Sequence, residues 1–372
     1  MTLTPTTETS TDLDDLARVL TPDGERIPDR RLDPWIDDLD ADALRGLYRD
    51  MAITRRLDAE GIALQRQGQL GLWAPAQGQE AVQVGTARAC RADDFLFPSY
   101  RELGVQLVRG AKPADFVLAW RGEQHSTYDP YALNLATPQI IIGAQTLHAA
   151  GYAMGIQRDG GDQVAVAYFG DGATSQGDVN EAMVFASSFQ APMVFVCSNN
   201  QWAISEPVTV QTKYPIAGRA PGFGIPSLRV DGNDVLACLA AMRWAADHAR
   251  SGKGPAFLEA VTYRMGPHTT SDDPKRYRSD DQVAAWRRRD PLTRFETHLR
   301  ARGVFDDAFA ERVEGDAGEF TAAMRAAVLG AVTRPPIAVL DDVYAEPHRG
   351  LAEQRERFAA YLSGFADEEV AR

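Results

Sequence analysis

One stretch of the sequence, between Val164 and Ser205, limits the possible folds more than any other. It reads VAVAYFGDGATSQGDVNEAMVFASSFQAPMVFVCSNNQWAIS. A short apolar run precedes Gly-Asp-Gly, a segment with helical features follows, and a second apolar run ends at Asn-Asn. Two apolar runs joined by one helix indicate a βαβ unit with parallel strands. The stretch therefore predicts a parallel sheet covered by helices.

Polar side chains follow both predicted strands of this unit. Asp171 comes just after the first strand, Val164–Phe169, and Asn200 comes just after the second, Met193–Cys197. Because parallel strands end on the same edge of a sheet, both residues should face the crevice where open α/β sheets bind ligands. Carboxylate and amide oxygens suit Mg²⁺ or Ca²⁺ better than zinc, and Gly172 lets the backbone approach a phosphate. The pattern predicts a cation that holds a phosphate group.

Each half of this pattern also has an ordinary interpretation. Gly-Asp-Gly alone is a common turn, and Asn-Asn alone is common in loops. Their occurrence together, each after a predicted strand, favours the cation site. Asp178 and Glu181 further predict a capping box at the start of the intervening helix.

The alternation of apolar runs and helical patterns extends over residues 74–265 and predicts an α/β fold, a mostly parallel sheet with helices on both faces. The predicted strands are Phe95–Pro98, Val164–Phe169, Met193–Cys197, Ser227–Val230 and Phe257–Val261. We expect a flexible N-terminal extension over residues 1–40 and the α/β domain over 41–280. A C-terminal helical region, 281–372, is expected to pack on the same domain.

Composition excludes several classes of protein. With 39 Lys and Arg against 52 Asp and Glu, the chain carries a net charge of −13, which argues against nucleic acid or an anionic membrane as the main partner. The three cysteines have no Cys-x-x-Cys spacing, and the N-terminal residues lack the apolar core of a signal peptide. We therefore expect a cytoplasmic protein without disulfides.

Several motifs in order resemble one enzyme family. Gly-Asp-Gly, a helix and Asn-Asn resemble the thiamine diphosphate signature. The other motifs are GQEAVQVG (78–85), FPSYRELG (97–104), PQIIIGAQTLHAAG (138–151) and YRMGPHTTSDDPKRYR (263–278). Over about residues 40–350 the chain resembles the α subunit of the E1 component of 2-oxo acid dehydrogenase complexes. The resemblance implies the thiamin diphosphate-binding fold, with thiamine diphosphate and Mg²⁺ as cofactors.

The resemblance also implies a set of metal and diphosphate ligands. Asp171, Asn200 and the backbone carbonyl of Trp202 would hold the metal. The family usually has Tyr where this chain has Trp202, and a backbone ligand tolerates that change. Gly172 and Ala173 would contact the diphosphate through their backbone N–H groups.

Further cofactor contacts come from two other motifs. Arg101 would pair with the diphosphate and Tyr100 would donate a hydrogen bond to it, although Tyr-Arg is also an ordinary pair at a helix start. Ile142 would force the cofactor into its bent form, and the backbones of Ile140 and Ile142 would contact the aminopyrimidine. Three successive isoleucines are equally typical of a buried strand or helix start.

His268 is the catalytic residue that the resemblance implies, where it guides the acyl group onto lipoate and touches the cofactor. Taken alone, a histidine in a polar loop is more often an ordinary surface residue. At Ala144 branched-chain relatives carry a hydroxyl residue, so the resemblance does not imply a structural potassium site here. Thr269 stands where mitochondrial relatives carry a regulatory phosphoserine, and phosphorylation is not inferred.

The implied function is oxidative decarboxylation of a small 2-oxo acid and reductive acylation of the lipoyl domain of E2. In this family the carboxylic acid that supports the cofactor comes from a separate β subunit, and only 92 residues follow residue 280. We therefore expect an α2β2 heterotetramer and no complete single-chain enzyme. PQIIIGAQ favours pyruvate as substrate, whereas GPHTTSDD and Trp202 also fit branched-chain enzymes, and acetoin-type relatives stay open. From another class, the alternative is a catalytically silent diphosphate-binding scaffold.

Overall fold

The computed structural model describes residues 13, 15–122 and 128–365. The chain divides into two compact units, one ending at Leu329 and the other beginning at Gly330. The expected C-terminal helical region, 281–372, spans both units: its helices up to Leu329 belong to the first unit, and the residues from Gly330 onward belong to the second.

A parallel sheet forms the centre of the first unit. The strands of the described chain are β1 (Phe95–Phe97), β2 (Ala165–Gly170), β3 (Met193–Asn199), β4 (Trp202–Ala203), β5 (Glu206–Pro207), β6 (Ser227–Asp231) and β7 (Ala256–Val261). Five of them form the sheet in the order β1-β2-β3-β7-β6, and every neighbouring pair is parallel, whereas β4 and β5 form a separate antiparallel pair. All five predicted strands are confirmed, with ends that differ by one or two residues.

Helices flank the sheet and occupy the C-terminal part of the chain. The α-helices of the described residues are α1 (Ala41–Arg66), α2 (Glu80–Ala89), α3 (Leu103–Val108), α4 (Pro130–Leu133), α5 (Ala144–Arg158), α6 (Gly177–Ser188), α7 (Val208–Gln211), α8 (Val235–His248), α9 (Asp280–Arg287), α10 (Pro291–Ala301), α11 (Asp307–Leu329) and α12 (Arg349–Ser363). Short 3-10 helices cover Asp33–Trp35, Pro113–Phe116, Ala119–Arg121, Asp171–Ser175, Ile216–Phe223, Pro274–Arg276 and Pro336–Leu340, and a π turn covers Ala249–Lys253. No helix in the described part of the chain is long and apolar enough to span a bilayer.

The strands are buried on both faces, as their continuous apolar sequences predict. In β2, Val166 and Tyr168 pack into one core with α2 and α8, whereas Ala167 and Phe169 pack into another with α5 and α6. The first core requires a close helix contact at Gly85, where a Cβ atom would lie 2.7 Å from the Val235 carbonyl oxygen. Helices thus cover both faces, which confirms the predicted α/β class.

The predicted capping box at Asp178 and Glu181 is wrong. Helix α6 begins at Gly177, its N-cap is Gln176, and no side chain caps it. A 3-10 turn over Asp171–Ser175 brings the chain into the helix earlier than the pattern suggested. Asp178 therefore lies inside the first turn, where its charge still favours the helix dipole.

The N-terminal segment packs against the sheet where the structure describes it. Ala17 forms a parallel bridge with Val230, and the backbone N–H groups of Val19 and Leu20 donate to the Asp234 carboxylate at 2.8 and 2.7 Å. This part of the predicted flexible extension, residues 1–40, belongs to the folded unit because its apolar side chains are buried. Residues 1–12 and 14 lie outside the described residues.

Candidate active site

A cavity of about 210 Å³ lies at the carboxyl ends of β1, β2 and β3. This is the edge at which the sequence predicted a ligand site. Most of the residues predicted to bind the cofactor line this cavity. They are Tyr100, Arg101, Ile142, Asp171, Gly172, Ala173, Asn200, Trp202 and His268. The predicted meeting of Asp171 and Asn200 in one crevice is therefore seen in the structure.

Asp171 is a buried carboxylate, 1% exposed, directly after β2. Its Oδ2 atom accepts a hydrogen bond of 3.2 Å from the Gln211 amide. Burial raises the pKa of Asp171 to about 6. No Lys, Arg or His among the described residues forms an ion pair with this carboxylate. A buried anion without a countercharge is a fitting ligand for a divalent cation.

Asn200 lies on the adjacent loop, one residue beyond β3. Its Nδ2 group donates to Oε1 of Gln79 at 3.1 Å, and its Oδ1 atom accepts the backbone N–H of Trp202 at 3.2 Å. An amide oxygen has two lone pairs, so Oδ1 retains capacity for a metal. The described residues contain no cluster of three or more His, Cys, Asp or Glu that could hold a metal. A cation here would need Asn, backbone or phosphate oxygens besides Asp171.

The carbonyl of Trp202, the third predicted ligand, accepts a hydrogen bond of 3.0 Å from Nη1 of Arg264. The same guanidinium donates to the carbonyl of Ile204 at 2.6 Å. Ile204 has a φ of 57°, and this left-handed conformation is strained for a β-branched residue. Arg264, fully buried, thus holds a strained loop beside the cavity. Ligation of a metal by the Trp202 carbonyl stays a prediction.

Gly172 and Ala173 form part of the 3-10 turn that begins at Asp171. A Cβ atom on Gly172 would lie 2.8 Å from Cβ of Ala203, closer than real contacts allow. The turn can approach β4 only because residue 172 is glycine. This close packing brings the turn beneath the cavity, where backbone N–H groups suit an anionic ligand.

Arg101 and His268 contact each other on one wall of the cavity. Nη2 of Arg101 lies 3.1 Å from Nδ1 of His268 and 3.0 Å from its carbonyl oxygen, and Nη1 donates to the Pro75 carbonyl. The edge of the Tyr100 ring meets the His268 ring, with centroids 6.3 Å apart. Burial, together with Arg101 and Arg264, lowers the pKa of His268 to about 4. His268 is therefore neutral near pH 7.

The isoleucines of PQIIIGAQ do not share one environment. Ile142 lines the cavity, whereas Ile140 is 68% exposed and lines a separate hollow together with Tyr100 and Trp120. Ile140 is thus the one predicted cofactor residue that the structure does not bring to the cavity. Its contact with the cofactor through the backbone stays a prediction.

Sequence reasoning did not single out three buried polar residues of the cavity wall. Nε2 of Gln79, Oε1 of Gln145 and Oγ of Ser198 are buried and have no hydrogen-bond partner among the described residues. Unpaired buried polar atoms are costly, so their presence around one cavity indicates a polar ligand. The signal available in the sequence was weak, because each is a single polar residue in an otherwise ordinary element.

The sheet and the cavity define an α/β protein with a polar cavity at the carboxyl edge of its strands. The profile of the family "Dehydrogenase E1 component" matches residues 48–330. The α subunit of 3-methyl-2-oxobutanoate dehydrogenase from Mycobacterium tuberculosis is 50% identical over 343 residues, 92% of this chain and 93% of the relative. The pyruvate dehydrogenase E1 component α subunit from Staphylococcus epidermidis is 41% identical over 324 residues, 86% and 87% of the two chains. Its counterpart from Staphylococcus aureus is 39% identical over the same length.

The chain belongs to the dehydrogenase E1 component family, and its relatives identify it as an α subunit of the 2-oxo acid dehydrogenase type, an oxidoreductase. The family resemblance inferred from the motifs is thereby confirmed. Membership implies thiamine diphosphate as the cofactor. The residues present fit that group, because the cavity combines an unpaired buried carboxylate, unpartnered buried polar atoms and a glycine turn.

Proposed function

We propose that this chain binds thiamine diphosphate through Mg²⁺ in the described cavity and, with a β subunit, oxidatively decarboxylates a 2-oxo acid. The observation that carries the proposal is Asp171, a buried carboxylate without a countercharge that shares a cavity with Asn200. Asp171, Asn200 and the Trp202 carbonyl would hold the cation. Thiamine diphosphate supplies the carbanion chemistry by which 2-oxo acids lose CO₂.

The remaining cavity residues position the reactants and exclude water. Gly172 and Ala173 would meet the diphosphate through the backbone, and Arg101 and Tyr100 would contact it from the opposite wall. Ile142, whose side chain is 43% exposed in this chain, supplies apolar surface beside the cofactor. His268, neutral near pH 7, would contact the cofactor and guide acyl transfer to a lipoyl group.

A β subunit would close the cavity. Ile142 lines the cavity and is 43% exposed, and the preceding Ile140 and Ile141 are 68% and 70% exposed, which makes an apolar run that water solvates poorly. A partner chain that covers this run would also bring the carboxylic acid that the family places on β. We propose an α2β2 heterotetramer that passes the acyl group to the lipoyl domain of E2. The cytoplasmic location expected from the cysteine content stays a prediction.

We propose a branched 2-oxo acid such as 3-methyl-2-oxobutanoate as the preferred substrate. Support comes from the relative with that substrate in its name, which is 50% identical, against 41% for the Staphylococcus epidermidis pyruvate enzyme. Pyruvate, favoured by the motif PQIIIGAQ, is the second candidate.

An activity assay tests these proposals together. It combines purified α and β chains with an artificial electron acceptor and measures turnover of each of the two substrates. We expect activity only when the β chain, thiamine diphosphate and Mg²⁺ are all present, and a higher kcat/KM for 3-methyl-2-oxobutanoate than for pyruvate. Full activity of this chain alone would refute the shared active site. Higher kcat/KM for pyruvate would instead select the second candidate, and binding of the cofactor without turnover of any 2-oxo acid would indicate a scaffold.

A further inference from the structure

The ring nitrogen Nδ1 of His268 is surrounded by hydrogen-bond donors. Nη2 of Arg101 lies 3.1 Å away and Nη1 of Arg264 lies 3.5 Å away. A guanidinium carries only N–H donors and accepts no hydrogen bond. Nδ1 must therefore act as the acceptor, and a proton on this nitrogen would point at a positive charge.

Two backbone carbonyls, of Pro75 and His268, hold Arg101 beside Nδ1 of His268. Its Nη2 group carries two hydrogens, one aimed at Nδ1 and the other at the carbonyl oxygen of the same His268, 3.0 Å away. Nη1 is anchored on the Pro75 carbonyl, and the side chain is buried. Arg264 is anchored in turn on the carbonyls of Trp202 and Ile204. Both guanidiniums are thus fixed by backbone acceptors.

The carboxylate that faces His268, Asp272, does not compete for Nδ1. Its Oδ2 atom accepts the backbone N–H of His268 at 2.7 Å and the hydroxyl of Tyr277. Among the described residues, the hydrogen bonds of His268 involve its Nδ1 and its backbone and none involves Nε2, while the residue lines the cavity. The ring therefore presents Nε2 as the nitrogen free to meet a ligand.

We propose that Arg101 and Arg264 are positioning residues that fix His268 as its Nε2–H tautomer. His268 then serves the cavity as a neutral hydrogen-bond donor to an anionic oxygen, and it does not act as a base. The lowered pKa of His268, about 4, agrees with a ring that stays neutral. The role in the cavity rests on the proposed function, whereas the tautomer does not.

Nitrogen NMR reports the tautomer directly, because protonated and unprotonated ring nitrogens resonate far apart. The assembled enzyme would contain this chain labelled with [δ1-¹⁵N]histidine and be measured by solid-state NMR, with and without thiamine diphosphate and Mg²⁺. The chain has 6 histidines, and the His268 signal is the one lost in His268→Gln. At neutral pH we expect the ¹⁵N chemical shift of His268 Nδ1 to be that of a fully unprotonated ring nitrogen, both with and without thiamine diphosphate and Mg²⁺.

Matched variants separate positioning from general structural support. In Arg101→Gln the side chain can either donate or accept, so the signal should move toward the averaged position of free histidine. Arg101→Lys restores a pure donor and should return the signal toward the limiting value. Arg276→Gln, an exposed arginine of the same loop, should change nothing.

Two results would overturn the proposal. One is a chemical shift that shows a protonated Nδ1 in the unaltered enzyme. This measurement does not depend on whether any variant folds. The other is a signal in Arg101→Gln identical to that of the unaltered enzyme. If the signal behaves as expected but the enzyme turns over no 2-oxo acid, the tautomer stands and the proposed function fails.

Discussion

The side-chain amide of Asn200 donates a hydrogen bond to Oε1 of Gln79 across 3.1 Å, which joins the loop after β3 to the start of α2. This bond turns Oδ1 of Asn200 away from Gln79. A metal ligand oriented in this way depends on its partner, and loss of such partners typically costs 10–100-fold in metal affinity.

Replacement of Gln79 should therefore weaken metal-dependent cofactor binding. We expect Gln79→Ala to lower the apparent Mg²⁺ affinity by about tenfold while the fold persists. Equilibrium titration of Mg²⁺ at fixed thiamine diphosphate measures this. Gln77→Ala, two residues away and outside the cavity, is the control. Equal affinities in the two variants would argue against the orienting role of Gln79.

The close contact at Gly172 predicts an overpacking effect. Gly172→Ala places a Cβ atom 2.8 Å from that of Ala203, so the turn must shift, at a cost of about 1–3 kcal/mol. Cofactor affinity and thermal stability should both fall, as titration and melting curves would report. The double variant Gly172→Ala/Ala203→Gly removes the opposing methyl group and should recover most of both losses. Gly177→Ala, which meets open space, should be neutral. Failure of the double variant to recover would mean that the contact is not the cause.

The pKa of Asp171 predicts a pH dependence. The folded-state pKa of Asp171, about 6, lies above the ordinary value of 3.8. At a pH between these two values, Asp171 is therefore protonated in the folded protein and ionised in the unfolded chain. Stability from this group is therefore lost as the pH rises from about 4 to about 6, and a bound cation would offset that loss. We expect Mg²⁺ with thiamine diphosphate to raise Tm more at pH 7.5 than at pH 5.5. Equal shifts at both pH values would contradict the assignment of Asp171 as a ligand.

The exposed isoleucines predict the position of the partner chain. Ile141 is 70% exposed, and burying a charge there without a partner is unfavourable. Ile141→Glu should therefore weaken association with the β subunit and leave the folded α chain intact. Sedimentation measures the association and circular dichroism the fold. Val210→Glu, at a similarly exposed valine, provides the comparison. Undiminished assembly of Ile141→Glu would place the interface elsewhere.

The sequence predicted the sheet and the convergence of Asp171 and Asn200 because both depend on local patterns. Apolar runs mark buried strands, and one intervening helix makes the strands parallel, so their following loops share an edge. The same reasoning did not predict that β3 pairs with β7, because the two strands lie far apart in the sequence.

The contacts of single polar residues could not be predicted from the sequence either. Gln145 donates to the Tyr168 carbonyl and leaves Oε1 unpaired, which only the folded arrangement reveals. Arg264 lay within a recognised motif, but its hold on two backbone carbonyls depends on the turn at Ile204. The early start of α6 likewise followed from the turn at Asp171–Ser175 and not from the capping pattern.

Calorimetric titration of thiamine diphosphate into the assembled enzyme, with and without Mg²⁺, tests the central claim most directly. For the unaltered protein we predict binding that requires Mg²⁺. Asp171→Asn should weaken binding even with Mg²⁺ present by at least the roughly 10–100-fold that loss of a ligand's hydrogen-bond partner costs, whereas Asp178→Asn should bind normally. Undiminished, Mg²⁺-dependent binding by Asp171→Asn would contradict the account, because the cation would then be held by other residues.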